Sequence, residues 1–209
     1  MIKINTYKNY LEHEVKELLE DQLFSKNCTH TNRDSYGPFA CSDWVIPTLI
    51  TIHFVQPFVN SLITELGKDA YSQAKTKLSN FSGKAKLKSR IEPTLGNIEL
   101  KTKFSIDLSF TAQINDEKIL KLMFPVAFTD EEYSDATSCY LDFLKDYELG
   151  LTSLESIGVE LDNRFLKISR SIGVVYVPEL KSLRWHNPMP KELIEEIHRE
   201  VERKKHNRE

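Results

Sequence analysis

The chain has 209 residues, enough for one mid-sized domain or two small ones, and its 40% hydrophobic and 28% charged content is ordinary for a globular protein with a core. Only seven residues are glycine, which argues against glycine-rich cofactor loops and flexible linkers. The net charge of −3 conceals zones: Glu65–Arg90 balances to +5, Asp116–Asp162 to −9 and Asn163–Glu209 to +4.

At the start, Ile2, Ile4 and Thr6 alternate with Lys3 and Asn5, which predicts a short strand. The opening Met1-Ile2-Lys3-Ile4-Asn5 lacks the apolar stretch of a secretory signal, and Cys28, Cys41 and Cys139 make an odd, sparse set. Together these favour a reducing, cytoplasmic setting with free thiols. Tyr10, Leu11, Val15, Leu18, Leu19 and Leu23 recur at helical spacing, predicting a helix over 9–24. Residues 25–43 are polar and turn-rich around Gly37-Pro38 and read as a long loop.

Trp44–Thr64 carries no formal charge across 21 residues, yet only twelve are apolar. Pro47, His53, Gln56, Pro57 and Asn60 interrupt it, so it falls short of the roughly 20 apolar residues of a membrane span. Projected at the helical angle, Ile52, Val55, Phe58, Val59, Leu62, Ile63 and Leu66 share one arc and His53, Gln56, Asn60 and Thr64 the other. This predicts an amphipathic helix over 52–66 that covers a core or lies on a surface. A second helix follows along Leu66, Ala70, Ala74 and Leu78 and ends near Asn80. Ser82-Gly83 then opens a basic connector that Pro93-Thr94-Leu95-Gly96 closes.

From Ile98 to Ile114 apolar residues hold the even positions except Thr102, and Leu120, Leu122, Phe124 and Val126 continue the pattern on a returning strand. One apolar face requires an odd loop, Asn115-Asp116-Glu117, which pairs 114 with 118, 112 with 120 and 110 with 122. Thr129 and Glu132 have capping-box spacing ahead of a helix from Asp130 to about Tyr147, with Tyr133, Ala136, Tyr140, Leu141 and Leu144 inward and Gly150 after its end. Residues 157–161, 164–169 and 172–178 read as short strands with an Asp162-Asn163 turn. Pro188 and Pro190 introduce a last helix over 190–205, whose acidic start and basic finish complement its dipole. The fold class implied is α+β: a mostly antiparallel sheet centred on the 98–126 hairpin, with helices packed on one face. Residues 1–209 form one domain, with a possible subdivision near 90.

The chemistry-bearing residues form no catalytic, metal or nucleotide motif. Cys28, His30 and Cys41 lack the paired spacing of a zinc site, no Gly-x-Ser-x-Gly or phosphate-cradling loop exists, and no cofactor is expected. Asp130, Glu131, Glu132 and Asp135 fit a helix N-terminus, where acids are favoured, better than a cation site. Lys84, Lys86, Lys88 and Arg90 alternate and read as one side of an extended, lysine-blunted edge. Trp185, between Arg184 and His186, reads as an anchor for the last helix. Cys139 reads as a buried small hydrophobe, and His53 as a hydrogen-bonded boundary residue.

The apolar segment running into Glu65-Leu66-Gly67-Lys68-Asp69-Ala70-Tyr71 and Lys75 resembles a stretch recurring in uncharacterised bacterial proteins, some associated with defence or inter-bacterial conflict. The resemblance covers about residues 45–78 and implies a non-catalytic accessory or immunity-type protein. The expectation is therefore a cytoplasmic interaction module that occludes a basic protein partner. Its candidate contact residues are Asp130, Glu131, Glu132, Asp135, Lys84, Lys86, Lys88, Arg90 and Trp185, and nucleic acid is disfavoured. The alternatives are a peripheral membrane protein using 52–66 and the lysines after it, or an enzyme whose site gathers His53, His186, tyrosines and carboxylates distant in sequence.

Overall fold

The computed structural model describes residues 1–7, 11–33, 48–56, 68–87, 103–160, 166 and 169–187. In chain order the elements are β1 (Ile2–Tyr7), α1 (Glu12–Glu20), α2 (Gln22–Ser25), β2 (Cys28–Arg33), β3 (Ile50–Phe54), α3 (Lys68–Leu87), β4 (Leu108–Gln113), β5 (Ile119–Leu122), α4 (Asp130–Glu148), β6 (Ser171–Val177) and β7 (Ser182–Trp185). Short 3-10 turns occupy Leu154–Ile157 and Pro178–Leu180.

The strands build one seven-stranded sheet in the order β2-β1-β3-β4-β5-β6-β7. It combines helices with a sheet, as the class α+β requires, but the sheet is mixed rather than mostly antiparallel. β1–β2, β3–β4 and β5–β6 pair parallel, and β1–β3, β4–β5 and β6–β7 antiparallel. The reason is connectivity: each parallel pair has helix between its two strands in sequence, which a hairpin cannot supply. The crossovers β3–α3–β4 and β5–α4–β6 both step toward β7 while β5 runs against β3. With both helices on one face, they have opposite hands, a departure from the strong right-handed rule.

Ile4, Ile52, Phe110, Leu122 and Val174 stand opposite one another across five strands, and each is 0% exposed. Val15 and Leu18 of α1, Phe24 of α2, and the stripes Tyr71, Ala74, Leu78, Phe81, Ala85 of α3 and Tyr133, Ala136, Tyr140, Leu141, Leu144 of α4 pack into the same core. At its centre Phe110 meets Phe54, Phe124 and Tyr140 at ring-centroid distances of 6.0, 6.2 and 6.5 Å. The Tyr140 hydroxyl donates to the Leu120 carbonyl at 2.8 Å, tying α4 to β5.

Several sequence expectations are overturned. The helix expected over 52–66 begins instead as strand β3, with Ile50, Ile52 and Phe54 buried and Thr51 and His53 half-buried. The β-branched run Ile50-Thr51-Ile52 and the two-residue alternation suit a pleated surface better than a helix; residues 57–67 lie outside the described residues. The long loop over 25–43 contains β2, while 34–47, with Cys41, lies outside. α3 runs past Asn80 through Ser82-Gly83 to Leu87, so Lys84 and Lys86 stand on a helix rather than on an extended edge. Residues 158–160 form no strand. Lys88, Arg90, residues 98–102, 161–165 and the helix expected over 190–205 lie outside the described residues.

α3 continues through its glycine because the glycine is a packing position. A Cβ at Gly83 would meet the Asp130 carbonyl oxygen at 3.2 Å, so the bare backbone lets α3 approach the first turn of α4. One residue earlier, fully buried Ser82 donates to the Ser79 carbonyl at 2.7 Å or the Tyr133 carbonyl at 3.1 Å and receives the Thr137 hydroxyl at 2.9 Å. Lys75 pairs with Asp142 at 2.5 Å further along the same antiparallel helix contact. This packing offsets the roughly 1 kcal/mol that glycine costs inside a helix.

β4 and β5 form a shorter hairpin than 98–126. Within it Phe110 faces Leu122 and Ala112 faces Leu120, the register that the apolar pattern requires. Asn115 Oδ1 accepts from the Glu117 and Lys118 amides at 3.0 and 2.8 Å, which closes the turn. The Thr129 capping box is present: the Thr129 hydroxyl accepts from the Glu132 amide at 3.2 Å, and the Glu132 carboxylate accepts from the Thr129 amide at 2.6 Å.

Candidate functional site

None of the seven strands contains an aspartate or glutamate, whereas they hold Lys3, Arg33, Lys121 and Arg184. All four cations fall on the face opposite the described helices. Lys3 and Arg33 alternate with the buried residues of β1 and with the β2 residues that face them; Lys121 and Arg184 do so in β5 and β7.

The register aligns a polar row across this face. Thr29 stands opposite Lys3, Lys3 opposite His53, His53 opposite Thr111, Thr111 opposite Lys121 and Lys121 opposite Gly173. His53 Nδ1 and Thr111 Oγ1 are 3.0 Å apart and hydrogen-bonded. Beside this row the hydroxyls of Thr48, Thr51 and Ser109 cluster, with Thr48 at 2.8 Å from Thr51 and 2.7 Å from Ser109.

Burial tunes two members of the row. The His53 imidazole is held below its usual value, first by desolvation and then by the Lys3 ammonium, which favours the neutral ring near pH 7. Burial draws the Lys121 ammonium down to about 8. One source of that burial is visible at Gly173, where a Cβ would stand 2.7 Å from the Met123 Cε. The absence of a side chain lets the apolar Met123 lie over β6 next to Lys121. The sequence signal for Lys121 is a lone lysine between Leu120 and Leu122, which alternation places on the polar face without showing that it is buried.

The other charged surface lies on α4. Glu131 and Asp135 are exposed and Asp130 half-buried, and among the described residues no cation forms an ion pair with any of the three. Glu132 is engaged in the capping box, while Asp142 and Asp146 pair with Lys75 and Lys145 at 2.5 and 3.6 Å. The Cys139 thiol reaches the Lys181 carbonyl at 3.8 Å, so the β6–β7 connection rests against α4. That connection carries Leu180, 57% exposed. Cys139 itself is half-buried, not buried.

The remaining candidate residues are dispersed. Lys84 lies on α3, 4.0 Å from Glu17 on α1. Trp185 faces the core from β7, with its indole N–H buried and without a hydrogen-bond partner among the described residues. His186 packs edge-on against Phe104 at 4.9 Å. Its amide bonds to the Gly173 carbonyl, which places it four strand spacings, about 19 Å, from His53. The two histidines do not converge. Among the described residues there is no group of three His, Cys, Asp or Glu side chains placed to hold a metal ion, and no helix is long and apolar enough to cross a membrane. Compared with known proteins, the chain matches no family model, no curated sequence and no solved structure.

Proposed function

We propose that the protein is a non-catalytic interaction module that binds a basic protein partner through the outer surface of α4 and occludes it, in the manner of an accessory or immunity-type protein of a bacterial conflict system. The observation that carries this reading is the grouping of Glu131 and Asp135, exposed and without cation partners among the described residues, on the helix that also supports the Leu180 connection. An exposed apolar side chain with charges around it is the usual plan of a protein interface, where carboxylates guide approach and the apolar contact slows release. Free, part-buried Cys28 and Cys139 accord with a reducing compartment.

The test is a pull-down from the native host with mass spectrometry, comparing the wild-type bait with an Asp130→Asn, Glu131→Gln, Asp135→Asn bait. Glu132 is spared because it caps α4. A protein retained by the wild type, lost from the neutralised bait and binding more slowly as salt rises supports the reading. Equal retention by both baits refutes it.

A further inference from the structure

β2 ends the sheet on the side away from α4, which packs toward β6 and β7. We propose that β2 pairs antiparallel with β2 of a second copy of this chain, about a two-fold axis passing between the two His30 residues, so that two sheets join into one. This contact is separate from the α4 surface and stands independently of the reading above.

The first reason is an open edge. Thr29, His30, Thr31, Asn32 and Arg33 are all exposed, and successive side chains of a strand point to opposite faces, so neither face of β2 is covered along these residues. The ladder fixes where the backbone points. The Ile2 amide donates to the Asn27 carbonyl at 2.8 Å, and in a parallel pair this turns Thr29 and Thr31 toward β1 and His30 away from it. The His30 N–H and C=O therefore face outward, and among the described residues neither has a hydrogen-bond partner. The ring of His30 is held against its own sheet by the Thr6 hydroxyl, 2.9 Å from Nε2, which leaves that backbone unobstructed.

The second reason is the absence of guards. Edges that must not pair are kept short, bulged, or given lysine or proline. β2 has six residues in unbroken register with β1 and contains no Lys, Pro, Asp or Glu. β7, at the other end of the sheet, is four residues long, carries Arg184 and has the 3-10 turn Leu154–Ile157 against it.

Self-complementarity favours a second copy over a foreign strand. With the axis at His30, the two His30 residues exchange both backbone hydrogen bonds. Thr29 then faces Thr31 of the second copy on the opposite face, a favourable cross-strand pair. The one formal charge of β2, Arg33, falls opposite Asn27 of the second copy and meets no cation. An axis perpendicular to the sheet puts both helix layers on one face and leaves each α4 surface open.

The experiment is sedimentation velocity of the full chain over rising concentration, joined to cysteine cross-linking. The expected result is a reversible monomer–dimer equilibrium that Glu131→Gln leaves unchanged. His30→Lys sets two ammonium groups opposite one another and should weaken dimerisation about fivefold, with its fold checked by circular dichroism. Cross-linking fixes the register. With Cys28, Cys41 and Cys139 replaced by serine, His30→Cys brings its two Cα atoms to about 5.5 Å, within disulfide range, and oxidised glutathione should give a covalent dimer. Thr31→Cys faces Thr29 and should not cross-link, and Arg184→Cys reports on the β7 edge. The His30→Cys arm keeps the test decisive should His30→Lys alter folding. A monomer at every concentration, a dimer unchanged in a folded His30→Lys variant, or a covalent dimer through Thr31→Cys or Arg184→Cys in place of His30→Cys would each overturn the proposal.

Discussion

Replacing Lys121 by methionine tests the electrostatics of the polar row with little change in side-chain length. Moving the ammonium from 10.5 to about 8 corresponds to a cost of about 3 kcal/mol for holding the charge in the folded state, at 1.36 kcal/mol for each pH unit. The sign follows from proton linkage. Between about pH 8 and pH 10.5 the unfolded chain holds this proton more firmly than the folded one, so the lysine protein gains stability as pH rises through that window. Below about pH 8 the cost is fully present. Lys121→Met removes it, and the methionine is expected to be more stable by about 1–3 kcal/mol near pH 7, the lower value allowing for the hydrogen bonding that only an ammonium provides. The advantage should shrink progressively toward pH 10.5. Urea unfolding followed by circular dichroism, with both proteins compared at each pH so that other titrations cancel, gives the difference directly. A methionine variant less stable than the lysine protein near pH 7, or a difference that does not change with pH, would refute the reasoning.

Two further perturbations probe the core and the helix contact. Phe110→Ala, at a fully buried position among Phe54, Phe124 and Tyr140, should cost about 3–5 kcal/mol by urea denaturation; Leu151→Ala at a 73% exposed site should stay within about 0.5 kcal/mol. Ser82→Ala and Thr137→Val should each cost about 1 kcal/mol, and the double variant should cost less than their sum by about 0.5 kcal/mol or more, because both remove the same hydroxyl contact at 2.9 Å. Additive costs would show that the two hydroxyls act separately.

The sequence was most legible where a local pattern and its tertiary use coincide. The even-position apolar residues dictate the β4–β5 register, and Thr129 with Glu132 dictates the start of α4. It was least legible where an alternative use of the same residues exists. Ile52 and Val55 suit a helical arc as well as a strand, and only the pairing of Ile52 with Ile4 and Phe110 decides between them. Ser82-Gly83 has turn chemistry in isolation, and its helical use depends on α4 lying against it. The acids of α4 were visible as a charge zone, whereas the polar row was not. Lys3, His53, Thr111 and Lys121 come from four strands spread over the chain, and no spacing within one segment announces their alignment.

The position of β3 in the sheet has a kinetic consequence. Along the sheet, β1 and β2 join the strands from β4 onward only through β3, whose two neighbours are both far from it in sequence. Neither seam of β3 can close by a local turn, so its pairing must await the meeting of two separately assembled halves, a late and slow event. By the same route in reverse, the β3 seams should be the first inter-strand pairs to open, so the β3 amides should exchange before those of the strands on either side. A segment that resembles a detachable apolar tract is thus the joint of the sheet, seconded by ion pairs between the helices such as Lys84–Glu17 and Lys77–Asp21.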